Sequence, residues 1–190
     1  MERKMKTLIL YGTRYGATAG TSEEIAKVLQ GEGFDVVVVN AKEEKVKDIS
    51  PYDLIVVGTG VQMGRWTGEV EDFLKRHEQK LAQKKMAFFV SSMKTVAERE
   101  GKTADVESAR KFDIDNKLPK YSFQPISVGF FGGVLNYNKM NFLFRKTLGS
   151  VREQVEKDGF VEIEPGVWEL RDWDEIRLWT KELAQKARLS

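Results

Sequence analysis

Apolar residues of the chain gather in five short runs, separated by longer polar stretches with helical spacing. None of the runs alternates cleanly between apolar and polar positions, which is typical of strands buried on both faces in a parallel sheet. The runs cover residues 6–11, 34–39, 53–58, 86–90 and 126–131. Between them, amphipathic patterns predict covering helices. The sequence therefore predicts an α/β fold, a doubly wound parallel sheet of five strands with helices on both faces.

The first predicted strand leads into a loop of Gly, Thr, Ser and Ala at residues 12–22. A helix is predicted to begin near Thr21, where Thr-x-x-Glu matches a capping box. Backbone N–H groups and hydroxyls before a helix can bind a phosphate. The loop lacks the nucleotide-triphosphate and dinucleotide motifs, and it retains Thr13-x-x-Gly16-x-Thr18. An ordinary turn followed by a capped helix is the alternative explanation.

Small residues also follow the third, fourth and fifth strands. Because the carboxyl ends of parallel strands meet at one edge of a sheet, these loops are expected to converge. For any one of these loops, the simpler explanation is that small residues let a strand connect closely to a helix. Taken together, the loops favour a binding site for a flat aromatic cofactor that carries a phosphate. The residues concerned are Thr59, Gly60, Val61, Gln62, Met63 and Gly64, then Ser91, Ser92 and Met93, and finally Gly132 and Gly133.

Composition narrows the chemistry. The chain has no cysteine, which excludes disulfides, iron–sulfur clusters and thiolate nucleophiles. Its one histidine, His77, follows Phe73 and Leu74 on a predicted helix face and is expected to be structural. We predict no metal site, so redox chemistry would need a bound cofactor. The net charge of +2 from interleaved charges predicts no nucleic-acid partner.

These features together resemble the FMN-binding flavodoxin family, and most closely its quinone-dependent protoporphyrinogen IX dehydrogenase branch. The similarity extends, with gaps, over most of the chain. It is carried by residues 6–10, the Thr13-Arg14 pair with Gly16 and Thr18, Gly64, residues 108–112 and the aromatic-basic stretch 135–148. The resemblance implies the strand order 2-1-3-4-5 and FMN as the cofactor.

The resemblance also implies where FMN lies. The residues at its phosphate would be Thr13, Arg14, Tyr15, Gly16, Ala17 and Thr18. The loops after the later strands would border the ribityl chain and the isoalloxazine ring. Residues 19–22 lengthen the phosphate loop relative to the usual pattern, so Gly20 and Thr21 are alternative phosphate ligands.

The implied function is an FMN-dependent oxidoreductase that passes electrons from a reduced organic donor to a quinone or a protein acceptor. Protoporphyrinogen IX is the donor that the branch suggests. A non-enzymatic electron carrier of the flavodoxin type and a flavin-free interaction module are the alternatives. The near-balanced charge departs from the acidic character of familiar flavodoxins and argues against docking as an acidic carrier. No side chain stands out as a general acid or base.

Residues 94–124, between the fourth and fifth strands, are rich in charge and weakly helical around residues 103–112. In the family this region helps to border the active face. A plain crossover helix with a long solvated loop is the alternative.

The stretch from Met140 to Leu148 places Phe142, Leu143 and Phe144 beside basic residues at helical spacing. A core helix accounts for this pattern, and a surface helix resting on a membrane or a partner is the alternative. No window approaches the roughly 18 apolar residues of a membrane span, and no secretory signal is evident. We therefore expect a cytoplasmic protein, peripheral at the membrane under the second alternative.

The C-terminal part predicts a small hairpin around Pro165-Gly166 and a last helix that begins at Asp172. The hairpin, at about residues 159–171, is expected to be an addition to a single domain spanning residues 1–190. A hairpin is marginal alone, so it should pack against the domain or against a second copy in a homodimer.

Overall fold

The computed structural model describes residues 3–140, 142–147 and 149–189. The strands are β1 Lys6–Gly12, β2 Asp35–Asn40, β3 Leu54–Gly60, β4 Lys85–Ser92, β5 Ser127–Gly132, β6 Val134–Asn136, β7 Val161–Glu164 and β8 Val167–Glu169. The helices are α1 Ala17–Gly31, α2 Gly68–Leu81, α3 Lys94–Arg99, α4 Thr103–Arg110, α5 Phe142–Thr147, α6 Gly149–Lys157 and α7 Trp173–Leu189. A π-helical turn spans Lys111–Asp115, and 3₁₀ turns span Leu118–Lys120 and Tyr137–Lys139.

The main sheet has five parallel strands in the order β2-β1-β3-β4-β5, which confirms the predicted fold. Its strands are apolar on both faces because helices cover both. Leu8 and Leu10 of β1 point to the side of α2 and the β4–β5 crossover, where they pack in one core cluster. Ile9 points to the opposite side and packs with residues of α1 and α7 in a second cluster. Because successive side chains of a strand point to opposite faces, the single apolar run of β1 contributes to both cores.

Helix α1 begins at Ala17, four residues before the predicted start near Thr21. Gly16 adopts a left-handed φ of 97°, and its N–H donates to the Thr13 hydroxyl over 2.9 Å. This turn starts the helix early, and Thr21 becomes a fully buried helical residue that faces the sheet. Gly20 lies beside Arg171, because a Cβ at Gly20 would stand 2.5 Å from its Nη1. The predicted capping box and the lengthened loop at residues 19–22 are therefore wrong.

The predicted hairpin is present as β7 and β8, and it is part of a larger element. Strand β6, which was not predicted, pairs antiparallel with β8 to give the order β6-β8-β7. Leu135, Trp168 and Leu170 pack there with Val155 of α6 in a third buried cluster. The Leu170 N–H donates to the carbonyl of Gly133 over 3.1 Å, next to the end of β5. The hairpin thus packs against its own chain.

Two further predicted features, a cap at Asp172 and a structural histidine, are seen in the structure. The Asp172 carboxylate accepts the N–H groups of Asp174 and Glu175 at 3.0 Å each, so it caps α7. His77 is buried, its Nε2 lies 3.0 Å from the carbonyl oxygen of Val46, and its ring packs on Phe73. His77 is therefore structural.

In the predicted apolar stretch 140–148, Met140 is buried and Phe142 is 78% exposed. Leu148 and the side chains of Leu143 and Phe144 lie outside the described residues. Within the parts of the chain that the structure describes, we find no helix of the length and hydrophobicity needed to cross a membrane.

Candidate functional site

A cavity of about 440 Å³ lies at the carboxyl edge of the main sheet, where the loops after β1, β3, β4 and β5 meet. Its size is within the usual range for sites that bind small molecules. Most of the residues predicted from sequence lie on one side of it, which we call the inner wall. The inner wall consists of Thr13, Arg14, Tyr15, Ala17, Thr18, Gly60, Val61, Gln62, Met63, Gly64, Ser91, Ser92, Met93 and Gly133.

Three of the predicted site residues do not line the cavity, and each has a structural role beside it. Gly16 makes the turn before α1. The Thr59 hydroxyl accepts the N–H of Thr67 at 3.1 Å and so anchors the start of α2. Gly132 is where the chain passes closest to the small sheet, because a Cβ there would stand 1.9 Å from the carbonyl oxygen of Leu170.

The start of α1 can accommodate a phosphate. Gly60 faces the same point and has no side chain to occupy it. A Cβ at Gly60 would lie 3.4 Å from the Thr18 hydroxyl and 3.9 Å from the Arg14 backbone nitrogen. Hydroxyls, free amides and the positive end of a helix dipole favour an anion at this point. The Arg14 side chain adds a fixed positive charge, and its Nη2 donates to the carbonyl of Trp66 over 3.2 Å.

The rest of the inner wall suits a flat polar ring system. The Ser91 hydroxyl is buried and has no hydrogen-bond partner among the residues that the structure describes. A buried hydroxyl without a partner is costly, and a ligand that bonds to it removes that cost. Gly64 adopts a left-handed φ of 68°, which gives the β3–α2 loop a sharp turn next to the cavity. The residues present therefore fit the FMN that the resemblance implies.

The opposite side of the cavity comes from the β4–β5 crossover, and we call it the outer wall. This part of the chain lines the cavity, as the family resemblance implied and the solvated-loop alternative did not. The outer wall consists of Ala97, Asp105, Val106, Ala109, Phe112 and Asp113. Lys94, Val134 and Met140 complete the lining.

Contacts to the β3–α2 loop hold the outer wall in place. The Trp66 indole N–H donates to the backbone carbonyl of Asp113 over 2.8 Å. The Lys117 ammonium group donates to the carbonyl of Gly64 and lies 5.3 Å from the Trp66 ring centroid. Phe112 packs on Gly64 so closely that a Cβ there would stand 1.9 Å from its ring. The two walls are thus joined on one side of the cavity.

Asp113 is the functional candidate that the sequence did not reveal. It is only 7% exposed, and among the described residues its carboxylate meets the charge of Lys117 but no hydrogen-bond donor. Burial raises the pKa of Asp113, and the nearby Lys117 charge opposes part of that rise. Burial also lowers the pKa of Lys117, against the effect of Asp113. The sequence signal was weak, because Asp113 stands in a charged segment with no clear periodicity.

Lys94 joins the cavity to the C-terminal helix. Its side chain is 6% exposed, and its ammonium group lies 2.8 Å from Glu98 Oε1 and 2.9 Å from Glu175 Oε1. Burial lowers the pKa of Lys94, but the hydrogen bonds to the two carboxylates outweigh that effect and raise it overall. Lys94 therefore stays charged and bridges α3 and α7.

Known proteins resemble this chain in sequence and in fold. Residues 8–160 match the family described as Flavodoxin domain. A protoporphyrinogen IX dehydrogenase [quinone] of Escherichia coli K12 is 26% identical over 184 residues, which cover 95% of each chain. A protein of the same name from Leishmania major is 27% identical over 183 residues, which cover 94% of this chain and 74% of that protein.

Among solved structures, a short-chain flavodoxin associated with a non-canonical PDU bacterial microcompartment has a TM-score of 0.52 and 15% identity. The likeness covers 96% of this chain and 99% of that one. At this identity it demonstrates the shared fold alone.

Proposed function

The chain belongs to the flavodoxin family and is an FMN-binding oxidoreductase of it, and from this premise we propose protoporphyrinogen IX as its donor and a quinone as its acceptor. Similarity over 95% of both chains to a protein named for that reaction supports the proposal. Fold alone would not support it, because flavodoxin-like folds serve many functions.

The observation that carries the proposal is a single cavity with two unlike walls. The inner wall presents amides, hydroxyls and glycines, which suit a flavin phosphate and ring. The outer wall presents Val106, Ala109 and Phe112, which suit the apolar face of a large organic donor. A carrier that exchanges electrons only with proteins has no need of a second, apolar wall.

FMN, when bound, supplies a two-electron acceptor for the donor and returns those electrons to the quinone. The residues of the chain would bind and orient the cofactor. Thr13, Ala17 and Thr18 would hold the phosphate at the start of α1. Gly60 would let the backbone approach the flavin closely, and the Ser91 hydroxyl would bond to one of its polar atoms. The outer wall would exclude water from the reacting face.

Oxidation of protoporphyrinogen IX by the FMN-loaded protein under anaerobic conditions, with menaquinone or ubiquinone as acceptor, tests this proposal. Porphyrin fluorescence should increase only when protein, FMN and quinone are all present. No oxidation with either quinone would overturn the proposal. Electron exchange with a redox protein in place of quinone would favour the carrier alternative.

We also propose peripheral membrane contact through residues 140–148. Phe142 is exposed beside the exposed Arg145 and Lys146, a combination that suits an anionic lipid surface. Co-sedimentation with vesicles containing anionic lipid should fall in Phe142→Glu. Equal binding by the wild type and the variant would contradict this contact.

A further inference from the structure

The structure leaves one buried carboxylate on the cavity without a partner. Asp113 belongs to the outer wall and is 7% exposed, yet within the described residues its carboxylate accepts no hydrogen bond. Buried charged groups are normally paired or hydrogen-bonded, because desolvation is costly. A carboxylate that is desolvated, accepts no hydrogen bond and lines a cavity is a candidate for proton transfer.

The fold fixes Asp113 through its backbone rather than its side chain. It lies in the π-helical turn Lys111–Asp115, a rare element that is frequent at functional sites. The Trp66 indole holds its carbonyl, and the neighbouring Phe112 packs against Gly64. The side chain thus keeps its position while its oxygens remain free to meet a ligand.

Other titratable groups that line the cavity are less suited to accept a proton. Lys94 is charged and engaged with two carboxylates. Tyr15 accepts a hydrogen bond at its hydroxyl from Gln62 over 2.9 Å. The guanidinium of Arg14 is a hydrogen-bond donor and has no acceptor atom. Asp105 is exposed to solvent rather than enclosed by the cavity.

We propose that Asp113 accepts the proton that the organic donor releases when its hydride passes to FMN, an assignment that rests on the proposed function. In a reduced tetrapyrrole, one C–H bond breaks and its electron pair leaves with the hydrogen to the flavin, which is reduced. A pyrrole N–H bond breaks, its proton passes to the Asp113 carboxylate, and its electron pair stays to form the new double bond of the oxidised donor. Asp113 then returns the proton to solvent.

The charges around Asp113 set how this step depends on pH. Burial raises the pKa of Asp113, whereas the positive charge of Lys117 lowers it. The charges of Glu71 of α2 and of Lys120 act in turn on Lys117, the first raising its pKa and the second lowering it. Asp105 and Arg14 line the same cavity. Since only the ionised carboxylate accepts a proton, the rate should rise with pH through the pKa of Asp113 and then level.

Anaerobic stopped-flow mixing of FMN-loaded protein with protoporphyrinogen IX tests the assignment. In Asp113→Asn the bleaching of the flavin should slow by about 100-fold or more, which is typical of losing a general base. The rise with pH should disappear, and Asp113→Glu should recover part of the rate. Reduction by dithionite, which needs no proton acceptor, should be unchanged. Asp115→Asn is the matched control in the same turn, because Asp115 is exposed and outside the cavity, and it should retain the wild-type rate.

A measurement independent of activity is the carbon-13 NMR titration of the Asp113 carboxyl. Its midpoint should lie above the ordinary range of aspartate. It should move higher still in Lys117→Met, because the cation that favours the ionised form is gone. The rising limb of the rate profile should move with it.

The outcomes separate the two hypotheses. If the wild type does not oxidise the donor at all, the proposed function fails and the role of Asp113 fails with it. If the wild type is active and Asp113→Asn keeps its rate and pH profile, the assignment alone is overturned. A midpoint at or below the ordinary aspartate range would also overturn it.

Discussion

The inner wall and the outer wall face the same cavity, but they are built in different ways. The inner wall is a consequence of topology, since the ends of four parallel strands bring their loops together at one edge. The outer wall depends on long-range packing of a charged crossover against the β3–α2 loop, through Trp66, Gly64 and Lys117.

Their chemistry differs accordingly. The inner wall offers backbone groups, hydroxyls and space, which suit a bound cofactor and need no proton transfer of their own. The outer wall offers apolar surface and one desolvated carboxylate, Asp113. The cofactor side of the cavity thus follows from the fold. The side proposed to contact the donor depends on the β4–β5 crossover, a connecting segment whose sequence and length the fold does not determine.

The largest expected effect comes from filling the inner wall. In Gly60→Val the new side chain occupies the space beside the Thr18 hydroxyl and the Arg14 amide. FMN binding should weaken by about 100-fold or more, or about 2.7 kcal/mol. Fluorescence titration of FMN measures the change. Gly31→Val is the matched control, because a Cβ at Gly31 meets open space. Equal affinity in Gly60→Val and wild type would place the phosphate elsewhere.

The next effect should come from the bridge between the cavity and α7. Lys94→Met leaves the half-exposed Glu98 and Glu175 without their buried cation. We expect a loss of about 2 kcal/mol of unfolding free energy, below the range for fully buried pairs because the carboxylates are partly solvated. The melting temperature should fall by about 4–8 °C. Lys102→Met breaks a surface pair with Glu100 and should change little, so equal losses would contradict the bridging role.

A smaller effect should loosen the outer wall alone. Trp66→Phe removes the hydrogen bond to the Asp113 carbonyl and should cost about 1 kcal/mol, with FMN affinity almost unchanged. Trp179→Phe is the control, since the buried Trp179 indole nitrogen has no partner among the described residues. Denaturant unfolding and FMN titration measure the two quantities. A large loss of FMN affinity in Trp66→Phe would show that the walls are not independent.

The smallest expected effect is on stability, and here the substitution should stabilise the folded protein rather than destabilise it. Because the pKa of Asp113 is raised in the folded state, the native protein holds its proton more tightly than the unfolded chain does. Its contribution to stability is therefore lost as pH rises from the ordinary aspartate pKa through the folded pKa. Asp113→Asn should match the wild type at low pH and melt at a slightly higher temperature near pH 7. A lower melting temperature near pH 7 would contradict the buried, unpaired carboxylate.

The sequence predicted the inner wall better than the outer one, and the reason is physical. Runs such as residues 54–58 are apolar on both faces, and that pattern has few structural alternatives. Once the strands are known, the loops at their carboxyl ends follow from parallel topology. Local patterns misled at α1, where Thr21 and Glu24 matched a capping box by coincidence and the turn at Gly16 started the helix earlier.

The outer wall could not be predicted from local patterns. Asp113 is buried because Trp66, 47 residues away, fixes its backbone, and no sequence period records that contact. Strand β6 is three residues long and exists through its pairing with β8, more than thirty residues later. Such elements acquire their structure from tertiary contacts rather than from propensity.

The central claim is tested most directly by one anaerobic turnover of the FMN-loaded protein with protoporphyrinogen IX, followed by visible absorbance. We predict that the flavin bleaches directly to its two-electron-reduced form and that excess quinone then restores the flavin colour. Porphyrin absorbance should grow only after the quinone is added, because complete oxidation of the donor removes six electrons in three successive turnovers. If dithionite bleaches the flavin but protoporphyrinogen IX does not, the two-wall account of this cavity is contradicted.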